Sequence, residues 1–288
     1  MTKHPIVDLH MHTAVSDGTD TPAELLARVK EAGVTVFSVA DHDAIAGCEA
    51  IRALLKPGDP AFLFGVEFSC KDALGKYHIL GYDYDPNAEA IRSVVDGGHA
   101  RRLKKLGLRL QMLKEEFGLS FPKEEVSALY SLSNPGKPHL ANLMVLHGYA
   151  QTRKQAFCDF LNRLRVPDDY TLPQDAIRGI LGAGGVPVLA HPCFGDGDQL
   201  ILGDELKERV RRLTAYGLAG LEAYYSGFTE TLRSQVLALA EEFDLYVTAG
   251  SDYHGSNKLI LPADTGLRPG DPLPERLERF LNDRLTDK

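Results

Sequence analysis

An α/β barrel interrupted by a helical insertion is the fold class this sequence predicts. Three observations predict it. Apolar strand segments alternate with amphipathic helical segments in the first and last thirds of the chain. Strand signals nearly vanish between about residues 87 and 167. Acids and histidines recur where apolar strands end. Alternation of this kind implies a mainly parallel sheet, here closed as a barrel. A chain of 288 residues suits one such barrel carrying an insertion.

Taken in order, residues 6–10 (IVDLH) read as the first strand. Thr21 is a natural N-cap for a helix running to 33, with Pro22 at the first helical position and Glu24 at the third. VTVFSVA (34–40) is a buried strand, followed by a helix around 45–54. AFLFGVEFS (61–69) and KYHILGY (76–82) are two further strands. After the insertion the pattern resumes with a helix at 174–183, a strand at 186–190 and a helix at 204–216. A strand at 219–223, a helix at 230–243 and a strand at 245–249 follow. Within the insertion, Leu103, Leu106, Leu110, Leu113 and Phe117 share one face of a wheel turning about 100° per residue. Arg101, Arg102, Lys104, Lys105 and Arg109 share the other. Turns are expected at 133–136 and 166–168. Gly182-Ala183-Gly184-Gly185 ends a helix before a strand, which suits a C-cap turn better than a phosphate cradle. The chain therefore divides into a barrel (1–95 and 168–288) and a helical insertion (96–167).

Hydrophobic residues at 44% and charged residues at 25% exclude global disorder. Lys and Arg number 32 against 40 Asp and Glu, a net charge of −8, which argues against a protein held to nucleic acid mainly by phosphate attraction. A small anionic substrate stays open, because metal ions can reverse the local sign of a site. The start of the chain has no apolar stretch of signal-peptide length, and no run of about 18 apolar residues occurs. Cys48, Cys70, Cys158 and Cys193 are widely spaced, with no CxxC. A cytoplasmic protein with reduced thiols and no membrane partner is expected, with Cys193 a packed thiol. No nucleophile elbow GxSxG and no GxxxxGK[ST] loop is present.

The ten histidines carry the chemistry. Asp8-x-His10-x-His12 ends the first strand, and side chains two apart on a strand point the same way, so their heads can share one ion. An isolated H-x-H pair is common and often merely structural. Here the arrangement recurs as Asp252-x-His254 after the strand 245–249. Between them lie Asp41-His42-Asp43, Glu67, His78 and His191, each beside an apolar strand. In a parallel barrel the carboxyl ends of the strands form one rim, where such residues converge. Imidazole and carboxylate without thiolate suit Zn, Mn or Fe(II). Closely spaced ions of that kind generate hydroxide near neutral pH and clamp an anionic oxygen, the equipment for hydrolytic phosphoryl transfer.

DLHMHT, SDG, ADHD, GVEFS, HILGY, LAHP and GSDYHG together resemble the motif series of the PHP (polymerase and histidinol phosphatase) superfamily of metal-dependent phosphoesterases, from residue 6 to about 256. The resemblance implies a distorted (β/α)7 barrel holding two or three divalent ions. By motif, it implies that His10, His12 and Asp252 bind one ion, that Glu67 bridges it to a second completed by His78 and His191, and that Asp17, His42 and His254 hold the third. Asp17 stands where some members have histidine. Asp41 is either a carboxylate orienting a ligand histidine or a loop acid.

A helical insertion after HILGY resembles the PHP group that hydrolyses nucleoside 3′,5′-bisphosphates, some relatives of which trim short oligonucleotides from the 5′ end. It implies a lid supplying basic residues to the substrate's phosphates, with Arg102, Lys137 and His139 the candidates. Lys137 stands where arginine is usual, keeping the charge but losing the bidentate fork. The bland alternatives are a solvated basic helix face and a helix-capping His139. The tract 161–173 also departs from the run usual in that group. His4, His99 and His147 read as structural or solvated. The expectation is a phosphomonoesterase that removes the 3′-phosphate of a nucleoside bisphosphate by attack of a metal-bridged hydroxide. Its rivals are a histidinol-phosphate-type phosphatase, a 5′→3′ exonuclease on short oligonucleotides, and a catalytically silent metal-binding scaffold. No obligate protein partner is evident.

Overall fold

The computed structural model describes residues 5–285 apart from 198 and 269, so His4 lies outside the described residues. Seven strands are hydrogen-bonded side by side in chain order: β1 (Val7–Asp8), β2 (Val36–Val39), β3 (Ala61–Asp72), β4 (Gly75–Tyr82), β5 (Val186–Leu189), β6 (Gly220–Tyr225) and β7 (Tyr246–Gly250). Across the seam, Leu9 N–H donates to Ala249 O at 2.8 Å and Asp252 N–H to His10 O at 2.7 Å, which nearly closes the barrel. The helices are α1 (Pro22–Glu31), α2 (Ala46–Leu54), α3 (Glu89–Phe117), α4 (Lys123–Tyr130), α5 (Lys137–Leu146), α6 (Arg153–Gln155), α7 (Pro173–Gly182), α8 (Gly203–Ala215), α9 (Glu230–Glu242) and α10 (Glu275–Leu285). A π-helical turn, Ala156–Leu161, continues α6.

Local chemistry explains the ends of these elements. Thr21 and Glu24 close a reciprocal capping box on α1, with Pro22 inside it. At the end of α7, Gly184 adopts a φ of +77°, and the chain turns there directly into β5, as the glycine run suggested.

One feature of the sheet departs from the expected parallel order. β4 runs antiparallel to both β3 and β5, whereas the other neighbouring pairs are parallel. β3 and β4 are longer than their apolar runs suggest and meet in a hairpin with Gly75 at φ +134°. A connection that short cannot carry a crossover, so the second strand must reverse. Consequently Glu67 lies within β3 and His78 in the first half of β4, rather than at strand ends. The hairpin lifts both to the rim.

Barrel residues such as Leu9, Leu63, Val66, Phe68, Ile79, Leu80, Val188, Leu221 and Val247 form the main core. The segment between β4 and β5 has a second core of Leu106, Leu113, Leu129, Leu140, Leu143, Met144, Leu161 and neighbours. α3 belongs to both: Ile91 joins the barrel core, and Leu106 and Leu113 join the helical one. Leu110 and Phe117 pack beside them, but Leu103 does not take part. The opposite face of α3 is not a free solvated face. Lys105 is buried, Arg101, Arg102 and Arg109 are half-buried, and only Lys104 is exposed.

No strand or helix is expected from the sequence after residue 256. The structure adds α10, whose Leu277, Phe280 and Leu281 show the i, i+3, i+4 spacing of a buried helix face. The Phe280 ring packs edge-on against Tyr82 at the end of β4 and Tyr246 at the start of β7, which closes the barrel end opposite the rim. Phe280→Ala should therefore cost about 3–5 kcal/mol of stability, read as a shifted denaturation midpoint, with metal binding at the far end retained.

Candidate metal centre

The rim gathers all nine histidines and acids proposed as ligands. His10, His12 and Glu67 form one group, His42, Glu67 and His78 a second, and His12, Asp17, His42 and His254 a third. The ligand atoms within each group lie within 4.8 Å of one another. Glu67 is central. Its Oε2 is 3.3 Å from His10 Nε2, 3.3 Å from His12 Nε2 and 3.1 Å from His42 Nδ1. Its Oε1 is 3.0 Å from His78 Nδ1 and 3.3 Å from His191 Nε2. Asp252 Oδ1 flanks the first group, at 3.7 Å from His10 Nε2 and 3.4 Å from His12 Nε2. It also lies 3.3 Å from His254 Nδ1. The grouping implied by the motifs assigned each histidine to one ion. In the geometry His12 also lies within reach of the third group and His42 within reach of the second. Asp17 Oδ1, 3.3 Å from His254 Nε2, completes the third group despite replacing histidine.

The residues fit divalent cations. His10 Nε2, His12 Nε2 and His42 Nδ1 are buried beside Glu67 and have no hydrogen-bond partner, a costly state that a cation on the lone pairs would relieve. The electrostatics point the same way. Burial alone would lower His10, but Glu222, Glu67 and Asp252 hold it well above its ordinary value. His12, likewise buried, is raised to about 9 by Asp252, Glu67 and Asp17. Burial opposes ionisation of Glu67, yet His78, His10 and His42 hold its carboxyl well below the usual range. His42 is driven well down by burial, against the pull of Glu67 and Asp17. Carboxylates in this pocket thus force positive charge onto imidazoles, a place that metal ions would take. His191 and Asp252 hold positive φ, 26° and 58°, conformations that ordinary side chains adopt only when their surroundings fix them.

The layer behind the rim bears on the two readings of Asp41. Asp41 contacts no ligand ring directly. It accepts from Thr13 N–H at 2.8 Å, Thr13 Oγ1 at 2.7 Å and Ser16 Oγ at 2.6 Å, and so shapes the turn that carries Asp17. Asp43 faces away, accepting from Arg102 Nε at 2.7 Å. The carboxylate that orients a ligand is Glu222 on β6, which the sequence reading missed. Its Oε1 lies 2.9 Å from His10 Nδ1, and its Oε2 accepts from His191 N–H at 2.8 Å. A lone acid inside the apolar strand GLEAYY was the available signal. Asp252 Oδ2 is also held from outside the groups, by Tyr225 Oη at 3.0 Å and Lys258 Nζ at 2.5 Å.

Two cavities meet at this rim. A 400 Å³ cleft lies over the metal groups, lined also by Arg153, Asp196, Tyr225, Asn257 and Lys258. Beside it a 350 Å³ cavity opens between α3 and the barrel, lined by Arg101, Arg102, Lys105, Arg109 and Lys137 with Tyr170 as one wall. His78 and Asp196 line both. Arg102 reaches the second cavity while paired with Asp43 and donating to Ser69 Oγ at 3.0 Å. Lys137 Nζ donates to Asn162 Oδ1 at 3.0 Å. Lys105 Nζ stands 3.5 Å from the Tyr170 ring centre. His139 lines neither cavity: its Nδ1 accepts the Gly136 N–H at 3.2 Å, capping α5. His99 and His147 bind Ser133 O and Glu125 at 2.8 and 2.6 Å, away from the centre. Cys193 is fully buried and its thiol is pushed up to about 12, which suits a packed thiol. No helix among the described residues is long and apolar enough to cross a membrane.

Comparison with known proteins extends this picture. The chain is 28% identical to a 5′-3′ exoribonuclease of Haemophilus influenzae, over 86% of this chain and 89% of that one. It is 29% identical to a 3′,5′-nucleoside bisphosphate phosphatase of Chromobacterium violaceum, over 86% and 87%. With a phosphoribosyl 1,2-cyclic phosphate 1,2-diphosphodiesterase of Eggerthella lenta the identity is 30%, over 87% and 94%. Among solved structures, a Bifidobacterium adolescentis protein described as a metal-dependent phosphoesterase superposes with a TM-score of 0.81 at 30% identity, covering 98% of each chain. The PHP domain matches residues 8–160, from the first histidine motif through the helical segment. With its nearly closed seven-stranded barrel and its rim of histidines and carboxylates, the chain belongs to the PHP domain family.

Proposed function

We propose that this metal-dependent PHP phosphoesterase is a phosphomonoesterase that removes the 3′-phosphate from nucleoside 3′,5′-bisphosphates. One observation carries the reading: the basic cavity of Arg101, Arg102, Lys105, Arg109 and Lys137 adjoins the metal cleft. A substrate with two phosphates can place one in each, and the remote one contributes binding energy that positions the other. The name of the Chromobacterium violaceum relative agrees with it.

In this reading His10, His12, Asp17, His42, Glu67, His78, His191, Asp252 and His254 would hold two or three divalent ions. Bound there, Mn, Fe or Zn supplies Lewis-acid charge for phosphoryl oxygens and acidifies a water near neutral pH. The protein does the rest. Glu222 fixes which nitrogen His10 presents, and Tyr225 and Lys258 fix the outer oxygen of Asp252. The helical segment is held over the rim by Arg102 on Asp43 and by Asn134 on the His42 carbonyl. His139 supports this lid through its cap on α5.

The test is phosphate release by metal-loaded protein from adenosine 3′,5′-bisphosphate, beside AMP, 3′-AMP, histidinol phosphate and a short 5′-phosphorylated oligoribonucleotide. Preference for the bisphosphate is expected. Faster cleavage of the oligonucleotide would favour the second reading, a 5′→3′ exoribonuclease, which the name of the Haemophilus influenzae relative supports. Histidinol phosphate is expected to be poor, because Asp43 and Asp169 beside the basic cavity already face Arg102 and Lys104.

Lys105 makes the reading pH-sensitive. Burial, with Arg109 and Arg102 alongside, pulls its ammonium down to about 8. The charge is present below that pH and lost above it, so KM for the bisphosphate should rise as pH passes through about 8. Lys105→Arg should push that rise to higher pH. A KM that stays flat across this range would remove Lys105 from substrate binding.

A further inference from the structure

Arg153 opens α6, the short helix capped by Thr152, and belongs to the helical segment rather than to the barrel. It nevertheless lines the metal cleft together with Asp17, His42, His254 and Lys258. Its Nη1 donates to Asn257 Oδ1, and Asn257 Nδ2 donates to the Asp17 carbonyl at 2.7 Å. Lys258, the next residue, reaches Asp252 Oδ2. One guanidinium therefore bridges from the lid to the loop after β7, at the edge of the candidate metal groups. With Nη1 engaged by Asn257, the guanidinium carries further N–H donors beside the cleft, from which an anion can accept.

We propose that Arg153 binds the reacting phosphoryl group, as a residue separate from the cations of the neighbouring cavity that take the remote phosphate. The guanidinium presents N–H donors in a fixed fork, matched to two oxygens of one phosphoryl group. A substrate phosphoryl held by this guanidinium in the cleft joins lid to barrel through a single residue. The inference rests on the reading that this cleft receives a phosphoryl group, and it is independent of which alcohol carries it.

The decisive experiment titrates inorganic phosphate into metal-loaded protein by calorimetry, with metal content measured on the same samples. Arg153→Ala should weaken phosphate binding about tenfold or more at unchanged metal content, the loss of one charge-assisted contact. It should lower kcat/KM for p-nitrophenyl phosphate, which has no second phosphate, and added guanidinium should restore part of the loss. Lys154→Ala, at the exposed neighbouring position, should match the wild type in both. If Arg153→Ala loses metal or does not fold, Arg153→Lys decides: it keeps the charge without the fork, and weaker phosphate binding is again expected. Unchanged phosphate affinity in the variant that retains metal, or no phosphate binding by the wild type, overturns the proposal. Failure of the bisphosphate as a substrate, with phosphate binding weakened in Arg153→Ala, would remove the substrate assignment and leave Arg153 in place. Bisphosphate turnover with unaltered phosphate binding would do the reverse.

Discussion

Glu67→Gln should lower phosphoester turnover about a thousandfold and strip metal from the rim, because one carboxylate serves two groups of ligands at once. Both Glu67 oxygens face imidazoles, three on one and two on the other. A glutamine offers one neutral acceptor and one amide that repels a cation, so neither group retains its charge. The loss should appear in metal stoichiometry by elemental analysis as well as in rate. A Glu67→Gln protein with full metal content and near-normal turnover would show that the ions, if needed, are held elsewhere.

Glu222→Ala is expected to have the next largest effect, although Glu222 joins none of the three ligand groups. Its carboxylate is fully buried and engages both His10 Nδ1 and the His191 amide. Removing it leaves a buried imidazole and a buried N–H without partners. About 3–5 kcal/mol of stability and about 10–100-fold in metal affinity should be lost. Glu222→Gln keeps one acceptor, cannot serve both donors, and should fall between. The metal-free protein adds a test with a defined sign. Glu222 is the largest influence raising His10, and His12 is raised from 6.5 to about 9 by Asp252, Glu67 and Asp17. Groups raised in the folded state contribute fully below about pH 6.5 and lose that contribution as pH climbs through their folded values. The metal-free wild type should therefore lose stability between about pH 6.5 and 9, and Glu222→Gln should show a smaller loss. Equal metal affinity in wild type and Glu222→Ala would reduce Glu222 to a packing residue.

Gly250 shows how tightly this layer is built: a Cβ there would overlap both His10 and the Glu222 carboxylate. Glycine at the end of β7 is what lets the orienting pair pass behind the rim.

Much of this was written in local sequence. Strand side chains repeat every two residues, so His10 and His12 share a face before any fold is known. Apolar strand runs locate the barrel, the capping box at Thr21 locates α1, and the ligand motifs identify all nine rim residues. The 3.6-residue period exposed α3, and it was equally present in Leu277, Phe280 and Leu281 of α10, where it went unused.

The tertiary structure decided what depends on residues far apart in the chain. Glu222 stands 212 positions from the His10 ring it orients, and nothing in GLEAYY says which way its side chain turns. The reversal of β4 follows from a hairpin that the apolar runs under-represented, because its tip extends beyond the buried core. The basic side of α3 looked solvated because a helical wheel knows nothing of what packs against it. The barrel covers that side and turns the cations into the wall of a cavity. Arg153 likewise carries no sequence mark, since its place over the cleft comes from the lid docking on the loop after β7. Periodicity and spacing determined the barrel strands and which face their histidines and acids share, because those obey short-range geometry, while the motif series supplied the candidate ligand set. The partners of the ligands and the charge of the neighbouring cavity come from long-range packing, which only the folded chain specifies.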